Sequence, residues 1–170
     1  MAKDRPRPPS DPKEKSFSAD LTDLLIQIPI FDNLDPQELR IAVRYMNLVE
    51  AKPGEIIFRE GDRGDYVCFV ADGVLDVIKA SETGRHVVLS SLHKGRSIGE
   101  MSILDNFPRS ASVRAKTEAT LVTLSRDSFN HIIDEHPRIG VKILMGVARL
   151  LSLSMRKTSS RLADYMLPLG

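Results

Sequence analysis

Short apolar runs separated by turn residues occupy the middle of the chain, and they limit its fold more than any other feature. Seven of the ten glycines lie between positions 54 and 99. Many short strands with frequent turns are typical of an antiparallel sandwich or barrel. We therefore predict a mainly β fold with flanking helices, an antiparallel β-barrel or jelly roll of about eight strands over about 47–125. The predicted strands are Asn47–Ala51, Glu55–Arg59, Tyr66–Ala71, Val74–Ala80, His86–Leu92, Ser110–Ala115 and Ala119–Ser125.

Two details refine this β region. The Asp72-Gly73 pair lies between two β-rich runs, and such a pair favours the tight turn of a β-hairpin, which we predict here. Cys68 alternates into the predicted core and is expected to be a buried small hydrophobe. Because it is the single cysteine, no intramolecular disulfide can form.

Two short helices are predicted ahead of the β region. Ser18 or Asp20 can cap the first, which carries apolar residues at helical spacing and ends at Pro29. Asp35-Pro36 supplies an N-cap and a first-turn proline for the second.

The C-terminal part of the chain is also predicted to be helical. A first helix runs from Arg126 to about Glu135, and Pro137 begins a long one that reaches about residue 166. The long helix carries two apolar stripes, Leu144, Ala148, Leu151, Met155, Thr158, Leu162 and Tyr165 in one and Ile143, Val147 and Leu150 in the other. If one stripe packs on the barrel, the other is free to meet a partner helix, so we predict a homodimer through this helix. The alternative is that both stripes are buried in the same domain.

The N-terminus and the composition narrow the setting of the protein. Residues 1–16 contain four of the ten prolines and almost no apolar side chain, which predicts a flexible tail, with the folded domain over 17–170. The formal net charge of +1 gives no reason to expect nucleic acid as a partner. No apolar run reaches about 18 residues and no secretory signal is present, so we expect no membrane span and a cytoplasmic location.

Residues 95–117 carry the chemistry. Gly99-Glu100 begins a short helix, and backbone N–H groups at a helix start can bind an anion. Arg109 precedes a strand, and a fixed guanidinium can fork two N–H bonds onto a phosphate. Small side chains at 110–112 leave room for a ligand. A carboxylate and an arginine together suit a compact ligand that holds a sugar hydroxyl close to a phosphate.

The order of these motifs resembles the phosphate-binding cassette of the cyclic-nucleotide-binding domain family. The cassette is Gly99-Glu100-Met101 followed by Pro108-Arg109-Ser110-Ala111-Ser112-Val113. The likeness covers about residues 30–165 and extends upstream through Pro53-Gly54-Glu55-Ile56-Ile57-Phe58, Glu60-Gly61-Asp62, Gly64-Asp65-Tyr66 and Asp72-Gly73. The family includes bacterial catabolite activators, regulatory subunits of cyclic-nucleotide-dependent kinases and gated ion channels.

The resemblance implies roles for individual residues. Glu100 would accept a hydrogen bond from the ribose 2′-hydroxyl, Arg109 would pair with the cyclic phosphate, and Ser110 would add a hydroxyl contact. Ser154 on the long helix would touch the base, whereas Met155 stands where the catabolite activators carry a cross-subunit hydroxyl, which is a departure. The implied ligand-binding residues are Gly99, Glu100, Met101, Ser102, Arg109, Ser110, Ala111, Val88 and Ser154.

The sequence predicts a sensor rather than an enzyme. No Ser/His/Asp or Cys/His set has plausible spacing for nucleophilic catalysis, and no metal-ligand spacing or cofactor is found apart from the ligand, cAMP or cGMP. A helix-turn-helix unit, on the order of 60 residues in the catabolite activators, is not expected after the long helix. The output is therefore expected to pass through a regulated partner protein. The alternative is an interaction module with a vestigial pocket or a cyclic dinucleotide ligand.

Overall fold

The computed structural model describes residues 21–80, 86–105 and 107–166. The predicted tail over 1–16 and the candidate caps Ser18 and Asp20 lie outside the described residues. Within these ranges, no helix combines the length and the hydropathy needed to cross a bilayer.

Eight strands form two four-stranded antiparallel sheets. The strands are β1 Asn47–Ala51, β2 Ile56–Phe58, β3 Tyr66–Asp72, β4 Leu75–Ala80, β5 His86–Leu92, β6 Ser97–Ile98, β7 Ser112–Ala115 and β8 Ala119–Ser125. One sheet has the order β1-β8-β3-β6 and the other the order β2-β7-β4-β5. The jelly-roll prediction is confirmed, but the sheets stay open and form no closed barrel. β6, which is only two residues long, was absent from the sequence-based prediction.

The predicted hairpin at Asp72-Gly73 is wrong. β3 pairs with β8 and β6, whereas β4 pairs with β5 and β7, so the two strands that flank Gly73 belong to different sheets. Gly73 has a φ of 83°, and a Cβ there would collide with the backbone of Glu118 and Ala119. The glycine is needed at a corner where the chain changes sheets, which the same turn chemistry also favours.

The helices lie at the two ends of the chain, as predicted. Residues 21–25 are helical, Pro29–Phe31 form a 3-10 turn, and α1 spans Pro36–Val43 behind an Asp35 cap. Asp35 accepts from the backbone N–H of Glu38, whose carboxylate accepts from the Asp35 N–H, which completes a capping box. After the sheets follow α2, Arg126–Glu135, and the 30-residue α3, Pro137–Met166.

Two apolar cores hold these layers together. The first lies between the sheets and includes Val70, Leu75, Val113 and Leu121. The second lies between the helices and the outer face of the β1-β8-β3-β6 sheet, where Phe69 contributes its ring. Burial of this second core fixes the helices against one sheet.

Candidate functional site

Arg109 is held at its backbone by the loop before β3. Its N–H donates to Asp62 O at 2.8 Å, and its carbonyl accepts from the Gly61 N–H at 2.9 Å. The neighbouring pair Arg63 and Pro108 forms an isolated antiparallel bridge. These bonds explain why two motifs about 45 positions apart in the sequence act as one unit.

The Arg109 side chain is buried, with 6% of its surface exposed. Its Nη1 donates to Ser102 Oγ at 2.6 Å and its Nη2 to Tyr66 O at 2.7 Å. The guanidinium carbon lies 4.0 Å from the centre of the Phe58 ring and 4.7 Å from that of Tyr66. Aromatic faces favour a cation at such distances. These contacts hold the guanidinium in place, and no carboxylate of the described residues forms a salt bridge with it.

Two glycines leave the space that this arginine occupies. A Cβ on Gly99 would collide with Arg109 Nη1, and a Cβ on Gly64 would collide with Ser102 Oγ. Gly99 also has a φ of 82°, which most residues avoid. Both glycines belong to the motifs that carry the family resemblance. Glycine is required at these positions because the backbone passes close to Arg109 at Gly99 and close to Ser102, the partner of Arg109, at Gly64.

Glu100 begins the 3-10 turn Glu100–Ile103 that follows Gly99. Its Oε2 and Arg109 Nε are the two buried side-chain polar atoms of the described residues that have no hydrogen-bond partner. Burial raises the pKa of the Glu100 carboxyl, although its own backbone N–H and the charges of Arg96 and Arg109 act to lower it. One acceptor and one donor, both desolvated, thus belong to two residues that line a common cavity. Such groups are costly unless a partner satisfies them.

That cavity has a volume of about 450 Å³ and is walled by both sheets, the 3-10 turn and α3. Eight of the nine sequence-predicted site residues line it, namely Gly99, Glu100, Met101, Ser102, Arg109, Ser110, Ala111 and Ser154. Its size lies within the range of small-molecule sites. The structure therefore brings together residues that are up to 55 positions apart in the sequence.

Val88 is the predicted site residue that does not line the cavity; its neighbour Leu89 does. The pairing of β4 with β5 shifts between Val77 and Ile78, which face Ser90 and Val88, so Leu89 is an extra residue in the strand. Such a bulge reverses the alternation of side chains along a strand. Simple alternation in the sequence contains no sign of it.

Arg126 is a positioning residue that the sequence analysis missed. From the first position of α2 its guanidinium donates to the carbonyls of Gly64, Ser102 and Asp105, with the Nε bond to Ser102 O at 2.7 Å. These bonds tie the 3-10 turn to the start of the C-terminal helices. The sequence does contain one indication of this role. A basic residue at a helix N-terminus is unfavourable for the helix dipole, so its presence there suggests that its side chain is needed elsewhere.

The long helix passes over the cavity at its midpoint. Leu151 and Ser154 line the cavity, whereas every residue from 152 to 166 is largely exposed to solvent. Before this point Ile143 and Val147 are buried in the helical core. The second predicted stripe therefore packs on the chain's own core, while the far part of the first stripe, from Met155 onwards, is exposed.

The family model of the cyclic nucleotide-binding domain matches residues 48–136. This match covers more than half of the chain, which therefore belongs to the cyclic nucleotide-binding domain family. The matched range contains both the glycine-rich motifs before β3 and the segment from Gly99 to Ala111 that holds Glu100 and Arg109.

Individual relatives agree with this assignment. The chain is 27% identical to the "CRP-like cAMP-activated global transcriptional regulator" of Mycobacterium tuberculosis over 86% of its own length and 63% of the regulator's, so it spans less than two thirds of that relative. A cyclic nucleotide-binding domain from Methylobacillus flagellatus is 28% identical with a TM-score of 0.77, covering 88% of this chain and 84% of that one. The regulatory domain of Toxoplasma gondii PKA with cAMP is 29% identical with a TM-score of 0.64, covering 73% and 46%.

Proposed function

We propose that the protein binds a cyclic mononucleotide, cAMP or cGMP, in the cavity between Glu100 and Arg109. The observation that supports this most directly is the pair of buried polar atoms without partners, Glu100 Oε2 and Arg109 Nε, on two residues that line one cavity of about 450 Å³. A ribose hydroxyl donates to the first, and a cyclic phosphate accepts from the second. Among the described residues, these two are the buried side-chain polar atoms that lack a partner.

The surroundings of the pair favour the same ligand. Arg109 Nη1 bonds to Ser102 Oγ and Nη2 to Tyr66 O, so the guanidinium is oriented before the ligand arrives. An oriented donor loses little entropy on binding, which favours affinity. Ser110 and Ala111 also line the cavity, and their backbone N–H groups complete the proposed phosphate cradle. Leu89, Met101 and Leu151 supply an apolar wall for the base.

We propose that the protein acts as a cytoplasmic sensor that regulates a partner protein and performs no catalysis itself. The relatives named above include a cAMP-activated regulator and a regulatory domain of PKA. Ser154 and Leu151 connect the cavity to α3, and Arg126 connects the 3-10 turn to α2. A ligand that binds one position of these helices better than another shifts their equilibrium, which a partner can read.

We also propose a homodimer through the second half of α3. Large apolar side chains are exposed there, namely Leu153, Met155, Leu162, Tyr165 and Met166. Light scattering should give the dimer mass at high concentration. Leu162→Asp should shift it towards the monomer, whereas Val141→Asp, an exposed apolar position in the first half of α3, should not. A monomer at every concentration would contradict the dimer.

Calorimetric titration of the purified chain with cAMP, cGMP and cyclic di-GMP tests the ligand. We expect one mononucleotide to bind, and Arg109→Ala to weaken binding by about 2 kcal/mol or more, roughly 30-fold, because a charge-assisted partner is lost. Arg109→Lys should recover little, since an ammonium cannot reproduce the fork. Unchanged affinity in Arg109→Ala would refute the phosphate assignment. Binding of cyclic di-GMP alone would favour the dinucleotide alternative, and no binding at all would favour an interaction module.

A further inference from the structure

A second cavity adjoins the proposed nucleotide cavity. It has a volume of about 220 Å³ and lies between the Pro29–Phe31 turn, β5, the loop before β6 and α3. The two cavities share four lining residues, which are Val77, Ile98, Glu100 and Ser154. Glu100 and Ser154 thus stand at the boundary between them. The base is expected at this boundary, because Glu100, which would hold the ribose, and Ser154, which the family resemblance assigns to the base, both stand there.

The polar groups of the second cavity come mainly from β5, from the loop before β6 and from the start of β6. They are Ser90, Arg96 and Ser97, beside the shared Glu100 and Ser154. Arg96 is exposed, and its guanidinium has no hydrogen bond or ion pair with any described residue. It lies near enough to Glu100 that its charge acts to lower the pKa of that carboxyl. A free guanidinium therefore stands beside the expected position of the base.

We propose that Arg96 selects the base of the nucleotide and that it selects guanine. This inference rests on the proposed function, since it assumes that Glu100 holds the ribose. Arginine offers only donors, arranged as a planar fork. Guanine presents two neighbouring acceptors, O6 and N7, that match this fork. Adenine presents N7 beside its N6 amino donor, so one arm of the fork would face a donor.

The other groups of the second cavity allow this choice to be made by Arg96 alone. Ser90, Ser97 and Ser154 carry hydroxyls, which donate or accept and so tolerate either base. The Ser154 contact implied by the family resemblance is compatible with adenine as well as with guanine. Discrimination must then come from the group that cannot accept, which is the guanidinium.

Titration of the full chain with cGMP and cAMP in three proteins tests the inference. The wild type should bind cGMP about tenfold or more tightly than cAMP. Arg96→Ala should remove most of that ratio by weakening cGMP and leave cAMP nearly unchanged. Lys94→Ala is the matched control, because Lys94 is an exposed basic residue of the same loop that lines neither cavity, and its ratio should equal that of the wild type.

The remaining outcomes overturn the inference in distinguishable ways. Tighter binding of cAMP by the wild type, or a ratio that Arg96→Ala leaves unchanged, would overturn the role of Arg96 while the proposed function stands. Preferred binding of cyclic di-GMP that Arg96→Ala abolishes would make Arg96 a contact for a second phosphate instead. Absence of binding by both mononucleotides would overturn the proposed function and the inference with it.

Discussion

Both halves of α3 carry apolar residues, but the surroundings of those residues are opposite. In the first half Ile143 and Val147 are buried, and Gly146 lies so close to the Pro29–Phe31 turn that a Cβ would collide with Ile30 O. Lys142 adds an ion pair with Glu38 of α1. In the second half, from residue 152 onwards, every described residue is exposed. Hydrophobic periodicity predicts the helix throughout, but it does not reveal which half has a partner within the chain.

The change from buried to exposed falls at the cavity. Leu151 is the last partly buried residue of α3, and Leu151 and Ser154 are the two that line the proposed nucleotide site. The 30 residues of the helix extend for about 45 Å, so its exposed half projects from the domain beyond this point. A ligand that contacts Ser154 therefore acts where the helix loses its support. This difference between the halves gives the sensor proposal its physical basis.

The largest expected effect compares one apolar residue from each half. Ile143→Ala should lower the free energy of unfolding by about 2–5 kcal/mol, because Ile143 is 1% exposed and its removal leaves a cavity. Leu162→Ala should change it by less than about 0.5 kcal/mol, because Leu162 is 59% exposed. Urea unfolding at a low protein concentration, where any dimer dissociates, measures both. Equal losses would show that the second half is packed and would remove the contrast.

The next effect concerns the support of Arg109 beneath the helix. Gly64→Ala places a Cβ against Ser102 Oγ, which must move and release its bond to Arg109 Nη1. We expect a loss of about 1–3 kcal/mol in stability, together with weaker nucleotide binding. Gly54→Ala is the matched control. Its φ of 86° is strained for alanine, but no atom lies within 4 Å of the new Cβ.

Stability and affinity should separate these two glycine variants. Gly54→Ala should lose about 1–2 kcal/mol of stability through its backbone alone and keep the affinity of the wild type. Denaturation and calorimetry on both proteins give the comparison. If Gly64→Ala bound the nucleotide with the affinity of the wild type, the orientation of Arg109 by Ser102 would not contribute to binding.

More of the candidate site than of the strand pairing could be predicted from the sequence, and the reasons can be identified. Glu100 and Arg109 lie in an ordered motif whose residue types follow from phosphate and sugar chemistry, and both line the cavity. The hairpin at Gly73 was wrong, because a glycine with positive φ serves a corner between sheets as well as a tight turn. Val88 was predicted as a site residue and Leu89 was not, because a β-bulge leaves no mark in the alternation. Arg126 was missed because its partners are backbone carbonyls, which no residue type records.

The next prediction concerns the pH dependence of nucleotide binding, which tests the role of Glu100. Burial raises the pKa of Glu100 above its ordinary value of 4.5, and the ribose hydroxyl needs the ionised carboxylate as its acceptor. Below the raised pKa the carboxyl is increasingly protonated and is a weaker acceptor, so affinity should fall with the pH until it reaches that of the neutral form. Calorimetry over a pH series measures this. Glu100→Gln should bind more weakly at neutral pH and lose the dependence; an unchanged slope would assign it to another group.

The raised pKa of Glu100 has the opposite effect on the stability of the ligand-free protein, which should decrease as the pH rises. Between 4.5 and the raised pKa, the folded protein keeps a proton on Glu100 that the unfolded chain has released. The free energy of unfolding therefore falls as the pH rises through this window. The difference in the free energy of unfolding between the wild type and Glu100→Gln, measured with urea over a pH series, isolates this contribution. The ligand, which needs the ionised form, thus relieves a site that is least favourable when it is empty and charged.

The smallest effect lies at the boundary residue itself. Ser154→Ala should weaken binding by about 0.5–1.5 kcal/mol, because one neutral hydrogen bond to the base is lost. Ser152→Ala is the matched control, since Ser152 is an exposed serine on the same helix that does not line the cavity. Both variants should unfold like the wild type, because neither side chain supports the core. If both bind normally, α3 senses the ligand through apolar contact at Leu151, and the boundary acts by packing rather than by hydrogen bonding.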